Sequence, residues 1–403
     1  MDEAPGSLGA LRRLNRLRVL DTLRRRGSVS RAEIARRTGL SRTTVSNLVG
    51  SLLEEGVVVE QVGEERQPAT PNGGRPPTLL TLDPSAGAVV GIDFGHDEVR
   101  VAVADLAYTV LSETSCALDV DHRADDALAA AATMVDQVLD DTGLERRRVL
   151  GVGAALSAPV RAGTRAVASA AIFPDWVDKN VAEELGRRLR VPVYIGNDAN
   201  LGALAEATFG AGRGVANLVY VMLATGVGAG LVLDGHLYEG DTGVAGELGH
   251  VVVAPDGLIC RCGNRGCLET IAGARAIVQA LRQSHGGDIT LADVLDLAEA
   301  GDAGARRVVA DAGRAVGRAL AGVCSVLDPR LVIVGGEVAA AGDLVLDGIR
   351  ESIELTMTPS AGHAVSVVPG DLGVRAEVLG AIALAMSSGP SQLAATHLPT
   401  AAA

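Results

Sequence analysis

The chain has 403 residues, long enough for two or three domains, and its 48% hydrophobic content is ample for a core although aromatics make up only 2%. The interior must therefore be built from Ala, Val, Leu and Ile, and 50 glycines without a triplet period exclude a collagen-like fibre and imply tight turns. The net charge of −13 is uneven, with 13 arginines against nine acidic residues in 1–80 and 23 basic against 40 acidic residues beyond, so the N-terminal part suits nucleic acid and the acidic body repels it.

The first residues lack an apolar core segment, so no signal peptide and a cytoplasmic location are expected. Leu14, Leu17, Val19, Leu20 and Leu23 recur at helical spacing from Leu11 to Arg26, and Gly27 ends that helix. Ser30 and Glu33 form a Ser-x-x-Glu capping box for a second helix, which runs through Ile34 and Ala35 to about Thr38 before a turn at Gly39. Ser41 caps a third helix, Arg42 to about Glu55, with Val45, Leu48, Val49 and Leu52 on its buried side. Two short helices joined at a glycine match a helix-turn-helix, whose second helix enters the major groove. Arg42, Thr43, Thr44, Ser46 and Asn47 would then reach base edges, while Ser30 and Arg31 would hold phosphates. Strands at Val57–Glu60 and Pro77–Leu82 make a wing, and Arg75 in the glycine-rich loop between them suits a narrow minor groove. A small protein-interaction domain with a solvated arginine face is the bland alternative. The caps, the polar helix face and the basic wing together favour a DNA reader over residues 1–82.

Past about Ser85 strands alternate with helices. Ala88–Phe94, Val99–Ala104, Thr109–Glu113, Val149–Ala155 and Val193–Gly196 read as strands, and Ala124–Asp140, Val177–Arg190 and Leu201–Phe209 as helices. A similar order recurs in the strands Asn217–Ala224, Gly228–Leu233 and Leu331–Val334, with helices from Leu268. The uncharged run Gly214–Leu233 is long enough to span a membrane, but its glycines make it strand, turn, strand, so no membrane partner is expected. Two lobes, about 86–199 and 200–375, would enclose a cleft, and a last helix near Ala376–Met386 would return to the first lobe. Residues 389–403 read as a disordered tail.

Three motifs carry chemistry. Cys260, Cys262 and Cys267 lie within eight positions, with His250 ten residues before, which is the donor set of a closed structural zinc site; Cys116 and Cys324 read as isolated thiols. Asn197-Asp198-Ala199-Asn200 follows a strand, where a carboxylate can take a hydroxyl proton or an Asx side chain can cap a helix. Thr225–Gly230 offers a glycine loop whose backbone could approach phosphate, although a plain glycine hairpin fits better because no helix follows.

Together with Ala245-Gly246-Glu247-x-Gly249-His250 and Cys-x-Cys-Gly-x-x-Gly-Cys-x-Glu, these motifs resemble the ROK family of sugar kinases and repressors from about residue 86 to 385. The winged helix-turn-helix resembles that of its repressor branch. The resemblance implies an α/β fold with two actin-like, ribonuclease-H-like lobes and sugar contacts from Asn197, Asp198, Glu247, His250 and Glu269, His250 serving zinc as well. It implies Asp198 as general base if a kinase activity is retained, with Asp93 toward magnesium, Gly226 and Gly228 toward ATP phosphates, and Gly335 and Gly336 by the adenosine. The chain departs from the kinase pattern at His96 and Asp97, which stand where the kinases carry Gly-Gly-Thr, and at Ala170-Ala171-Ile172 in place of Pro-Asn-Leu. An anionic Asp97 beside a triphosphate is unfavourable. The expectation is therefore a homodimeric or homotetrameric repressor of carbohydrate-related genes that binds operator DNA and a sugar effector, the alternative being an ATP-dependent sugar kinase with a DNA-binding module.

Overall fold

The computed structural model describes residues 15–61, 78–83, 86–357 and 365–388, without 17, 21, 24, 25, 55, 168, 170 and 178. Arg75 and the tail 389–403 therefore lie outside the described residues.

The described residues of 15–26 are helical, and β1 (Val29–Ser30), the helices Arg31–Thr38 and Arg42–Glu54, β2 (Val58–Gln61) and β3 (Leu79–Leu82) follow. The strands pair antiparallel in the order β1-β3-β2. Val19, Leu23, Ile34, Val45, Val49, Leu52 and Leu80 are fully buried at the centre. Burying such a side chain stabilises by about 1.5–3 kcal/mol, which is how so small a module holds its helices in place. Ser30 Oγ accepts from Glu33 N at 3.3 Å, and Gly39, at φ 70°, closes the helix in the left-handed conformation. The capping box is half made: Glu33 turns its carboxylate to Arg36 and Arg37, one turn along the same helix face. A charged guanidinium at that spacing outcompetes one backbone N–H.

The body holds two sheets of five strands. The first comprises β4 (Ala88–Phe94), β5 (Glu98–Asp105), β6 (Val110–Ala117), β7 (Val149–Leu156) and β8 (Val193–Asn197), in the order β6-β5-β4-β7-β8. The second comprises β9 (Leu218–Leu223), β10 (Val227–Leu233), β11 (His236–Leu237), β12 (Leu331–Gly335) and β13 (Ser366–Pro369), in the order β11-β10-β9-β12-β13. Each is an antiparallel meander of three strands extended by two parallel strands, so one topology occurs twice. The helices Ala124–Thr142 and Val181–Leu189 cover one face of the first sheet, and Ala303–Leu327 packs with Asp343–Thr356 over the second.

Two helices lie where the halves meet. Asp198–Thr208 packs on β9 and β10, Ala376–Ser388 packs on β4 and β7, and the two helices pack on each other. Glycines set that approach: a Cβ on Gly153 would sit 1.9 Å from Ala381 O, and one on Gly380 would sit 1.9 Å from Leu201 O. The outer face of the first sheet (Val89, Ala102, Ala104), the C-terminal helix (Val378, Ile382, Ala385, Met386) and the N-terminal module (Leu23, Val29, Leu82) share one apolar cluster.

Boundaries moved where local caps outweigh periodicity. The helix expected from Val177 starts at Val181, because Pro174–Trp176 forms a tight 3-10 turn and Asn180 caps the helix. The helix expected from Leu201 starts at Asp198, and β6 runs on to Ala117 rather than Glu113.

Candidate functional site

In open α/β sheets, side chains at the carboxyl ends of parallel strands face a common crevice. Here those ends deliver Asp93 from β4, Ser157 just after β7, Asn197 and Asp198 from β8, and Gly336 just after β12. With the β9–β10 turn and the segment Gly246–His250 they line a cleft of about 300 Å³. All five expected sugar contacts, Asn197, Asp198, Glu247, His250 and Glu269, meet there.

The capping reading of the Asn-Asp motif holds for Asn197, while Asp198 lines the cleft. Asn197 Oδ1 caps the helix by accepting from Asn200 N at 3.1 Å, and its Nδ2 donates to Ala158 O (3.1 Å) and Asp198 Oδ1 (2.7 Å). Asp198 is 6% exposed, and Ala199 N also donates to its Oδ1 at 2.7 Å. Burial holds its carboxyl above the ordinary range, against the hydrogen bonds from Ala199 and Ser157. Asp93 is held well above that range by burial and by the charges of Glu377 and Asp198, and its buried Oδ1 has no hydrogen-bond partner among the described residues. Burial also pushes Glu247 up to about 7, with the charges of Asp198 and Glu269 adding to it. Glu269 is held by Arg261 Nε at 3.2 Å and faces Val227 N at 3.4 Å.

The glycine loop is a hairpin, with Leu223 paired to Val227 and Ala224 N donating to Gly226 O at 3.0 Å. Its glycines answer to packing. A Cβ on Gly228 would lie 2.8 Å from Ala199 Cβ, and one on Gly226 would meet the Glu269 carboxylate at 2.5 Å. Both line the cleft, as does Gly336, whereas Gly335 packs against Tyr220. His96, Asp97 and Ile172 line the same cleft; Ala170 lies outside the described residues. Sequence reasoning missed Arg261, Glu337 and Glu377, which also line it. Arg261 stood inside the cysteine motif, but a lone Glu377 opening a hydrophobic helix gives no local signal.

The ligand atoms of His250, Cys260, Cys262 and Cys267 lie within 4.8 Å of one another, so the cluster can bind a metal. Cys260 Sγ is 3.6 Å from His250 Nδ1, and Cys262 Sγ is 3.7 Å from Cys267 Sγ. Tetrahedral zinc, with bonds of about 2.0–2.3 Å, sets its ligand atoms about 3.5–3.8 Å apart, so the donor set fits. Cys116 and Cys324 stand apart from this cluster.

In the N-terminal module Arg42, Thr43, Ser46 and Asn47 are exposed on one helix. Thr44 is half-buried, its Oγ1 2.8 Å from Ser41 Oγ, and Ser41 Oγ accepts from Thr44 N at 3.1 Å. Ser30 Oγ is used as a helix cap, and Arg31 pairs with Glu60 of β2 at 2.9 Å. No helix among the described residues is long and apolar enough to cross a membrane.

A winged helix-turn-helix joined to a duplicated, two-lobed sugar-kinase-like body is the class of protein that this fold and cleft define. The chain belongs to the ROK family, whose signature matches residues 89–388, and a winged helix-turn-helix DNA-binding signature matches residues 12–59. It is 28% identical to the xylose repressor of Bacillus spizizenii over 92% of this chain and 94% of that protein. It is 33% identical to the glucokinase of Thermotoga maritima over 73% of this chain and 96% of the kinase. A crystal structure of a ROK family transcriptional regulator, a homologue of the Escherichia coli Mlc protein, superposes with a TM-score of 0.79 at 26% identity, covering 95% and 98% of the two chains.

Proposed function

We propose that the protein is a DNA-binding transcription regulator, a repressor of carbohydrate-related genes, whose operator affinity changes when a sugar occupies the cleft. Residues 1–82 would read DNA through Arg42, Thr43, Thr44, Ser46 and Asn47, with Ser30, Arg31 and Arg75 toward the backbone or minor groove. Residues 86–388 would sense the sugar through Asn197, Asp198, Glu247, His250 and Glu269. The observation that carries this reading is the meeting of those five side chains in a chain that also presents Arg42, Ser46 and Asn47 on an exposed helix face. The similar repressor covers 92% of this chain and so spans both parts, whereas the similar glucokinase covers 73% of it. Ligand-driven closure would favour one lobe arrangement and so reposition DNA modules paired in a homodimer or homotetramer.

Zinc would be held by His250, Cys260, Cys262 and Cys267, and when bound it supplies a closed, structural anchor for the loop. His250 and Glu269 flank that loop, so their placement in the cleft depends on it.

The kinase alternative, with Asp198 as base and ATP with magnesium, meets an obstacle in the charge around the cleft. Asp97, Glu98 and Glu337 line it, and Arg100 is drawn to Glu98 (2.6 Å) and Glu113 (3.1 Å). A triphosphate placed among carboxylates is repelled. The deciding experiment titrates the purified protein on its own upstream DNA with a panel of pentoses, hexoses and amino sugars, alongside an ADP-release assay. Operator binding altered by one sugar, without turnover, is expected. Turnover lost in Asp198→Asn would establish the kinase instead.

A further inference from the structure

Between β4 and β5 the chain turns through Gly95-His96-Asp97, and His96 enters the cleft lining. Its Nδ1 lies 2.7 Å from Asp121 Oδ1, and both side chains are only 10% exposed. The backbone repeats the tie, with Val120 N donating to His96 O at 2.9 Å. The ring meets Phe173 edge-on with centroids 5.7 Å apart. An ionised Asp121 only accepts, so Nδ1 carries the proton of that bond and Nε2 is the atom left for a ligand. Among the described residues Nε2 makes no hydrogen bond. Asp121 turns its second oxygen toward Arg275, 3.8 Å away on the second-lobe helix Ala274–His285.

We propose that His96 is a specificity-determining residue of this cleft, its Nε2 binding a hydroxyl of a neutral sugar beside Asp198. Asp121 acts as its positioning residue and links the contact to Arg275 across the cleft. The proposal rests on the sensor reading above and names the contact that sets its ligand class. A hydroxyl both donates and accepts, so it pairs with Nε2 whether the imidazole is neutral or charged; a phosphate oxygen pairs only with the charged form. The carboxylates of Asp97 and Glu98 in the same lining disfavour an anionic ligand. His96 is fixed by Asp121 before a ligand arrives, so the contact loses little side-chain freedom.

The test uses the full-length, zinc-loaded protein and the sugar that alters operator binding. Trp176, the single tryptophan, reports on this wall: it packs on Phe173 with centroids 5.3 Å apart and donates from Nε1 to Val120 O at 2.7 Å. Its fluorescence, with calorimetry, gives the sugar Kd. His96→Ala is expected to weaken sugar binding at least tenfold in protein that still melts cooperatively and keeps its metal content. Asp121→Asn, which keeps an acceptor for Nδ1–H, should weaken sugar binding less than Asp121→Ala does, a rescue by the conservative variant that loss of the carboxylate alone would not give. Arg275→Ala should blunt the sugar's effect on operator affinity. If His96→Ala does not fold, His96→Asn, closer in size, carries the same comparison. Equal sugar affinity in the His96 variant and the wild type overturns this proposal alone. A wild type that binds none of the sugars overturns the sensor reading and this proposal together.

Discussion

His250 stands between the cysteine cluster and the cleft, its Nδ1 3.6 Å from Cys260 Sγ while its Nε2 faces Glu247 at 3.8 Å. One ring thus presents its two nitrogens to two sites. A metal on Nδ1 would fix the ring plane and so fix what Nε2 offers a ligand. Chelation of the metal should therefore weaken sugar binding by about 10–100-fold, the usual scale for a lost orienting partner, while leaving sugar-free operator binding intact. Calorimetry on chelated, zinc-restored and Cys262→Ser protein checks this. Full sugar affinity in metal-free protein would sever the link.

The DNA module separates reading from folding. Asn47 is exposed and Leu52 is fully buried on the same helix. Asn47→Ala should weaken operator binding roughly 5- to 150-fold, the value of about 1–3 kcal/mol for one bidentate base contact, with no change in melting temperature. Leu52→Ala should instead cost about 2–5 kcal/mol of stability through the cavity it leaves. Anisotropy titrations and thermal melts on both variants distinguish the two effects.

Glu377 predicts a pH dependence. Burial, with the charge of Asp198, pushes its carboxyl up to about 7 from 4.5. The folded protein therefore binds this proton more tightly than the unfolded chain does. The stability it confers is complete below about 4.5 and is lost as pH rises through about 7. Glu377→Gln, which keeps an acceptor for the Tyr220 hydroxyl at 3.4 Å, should match the wild type near pH 4 and melt several degrees higher near pH 8. A difference in melting temperature that is flat across that range would contradict the assignment.

Gly153 tests how closely the C-terminal helix must approach the first sheet. A methyl group there would lie 1.9 Å from Ala381 O, far inside contact distance. Gly153→Ala should cost more than about 1–3 kcal/mol, since main chain rather than a flexible side chain must yield. It should also disturb sugar response, because Glu377 at the start of that helix lines the cleft. Thermal melts and sugar titrations measure both effects.

Much of this architecture was legible in the chain. β4 and the start of Ala376–Ser388 fall where alternation and apolar runs put them, because buried strands and helices leave strong periodic signals. The Cys/His cluster was legible because thiols are rare here and crowd into one loop. β1 was not, since two residues carry no period. The His96–Asp121 pair joins residues 25 positions apart, and Glu377 reaches Tyr220 across 157, so only the folded sheets bring them together. The Ser30–Glu33 box failed in its reciprocal half because the pattern ignores Arg36 and Arg37 competing for the same carboxylate.

The apolar cluster that joins the N-terminal module, the first sheet and the C-terminal helix has a mechanical consequence. A reader domain on a slack tether would forget the orientation of its sensor; one that shares a core with it turns as the sensor turns. In the paired regulator proposed above, each winged helix would be the tip of a stiff lever pivoting where the helices Asp198–Thr208 and Ala376–Ser388 pack on each other. A slight rotation at that pivot would sweep the helix Arg42–Glu54 through a larger arc, so the spacing between half-sites would become the quantity that the cleft controls.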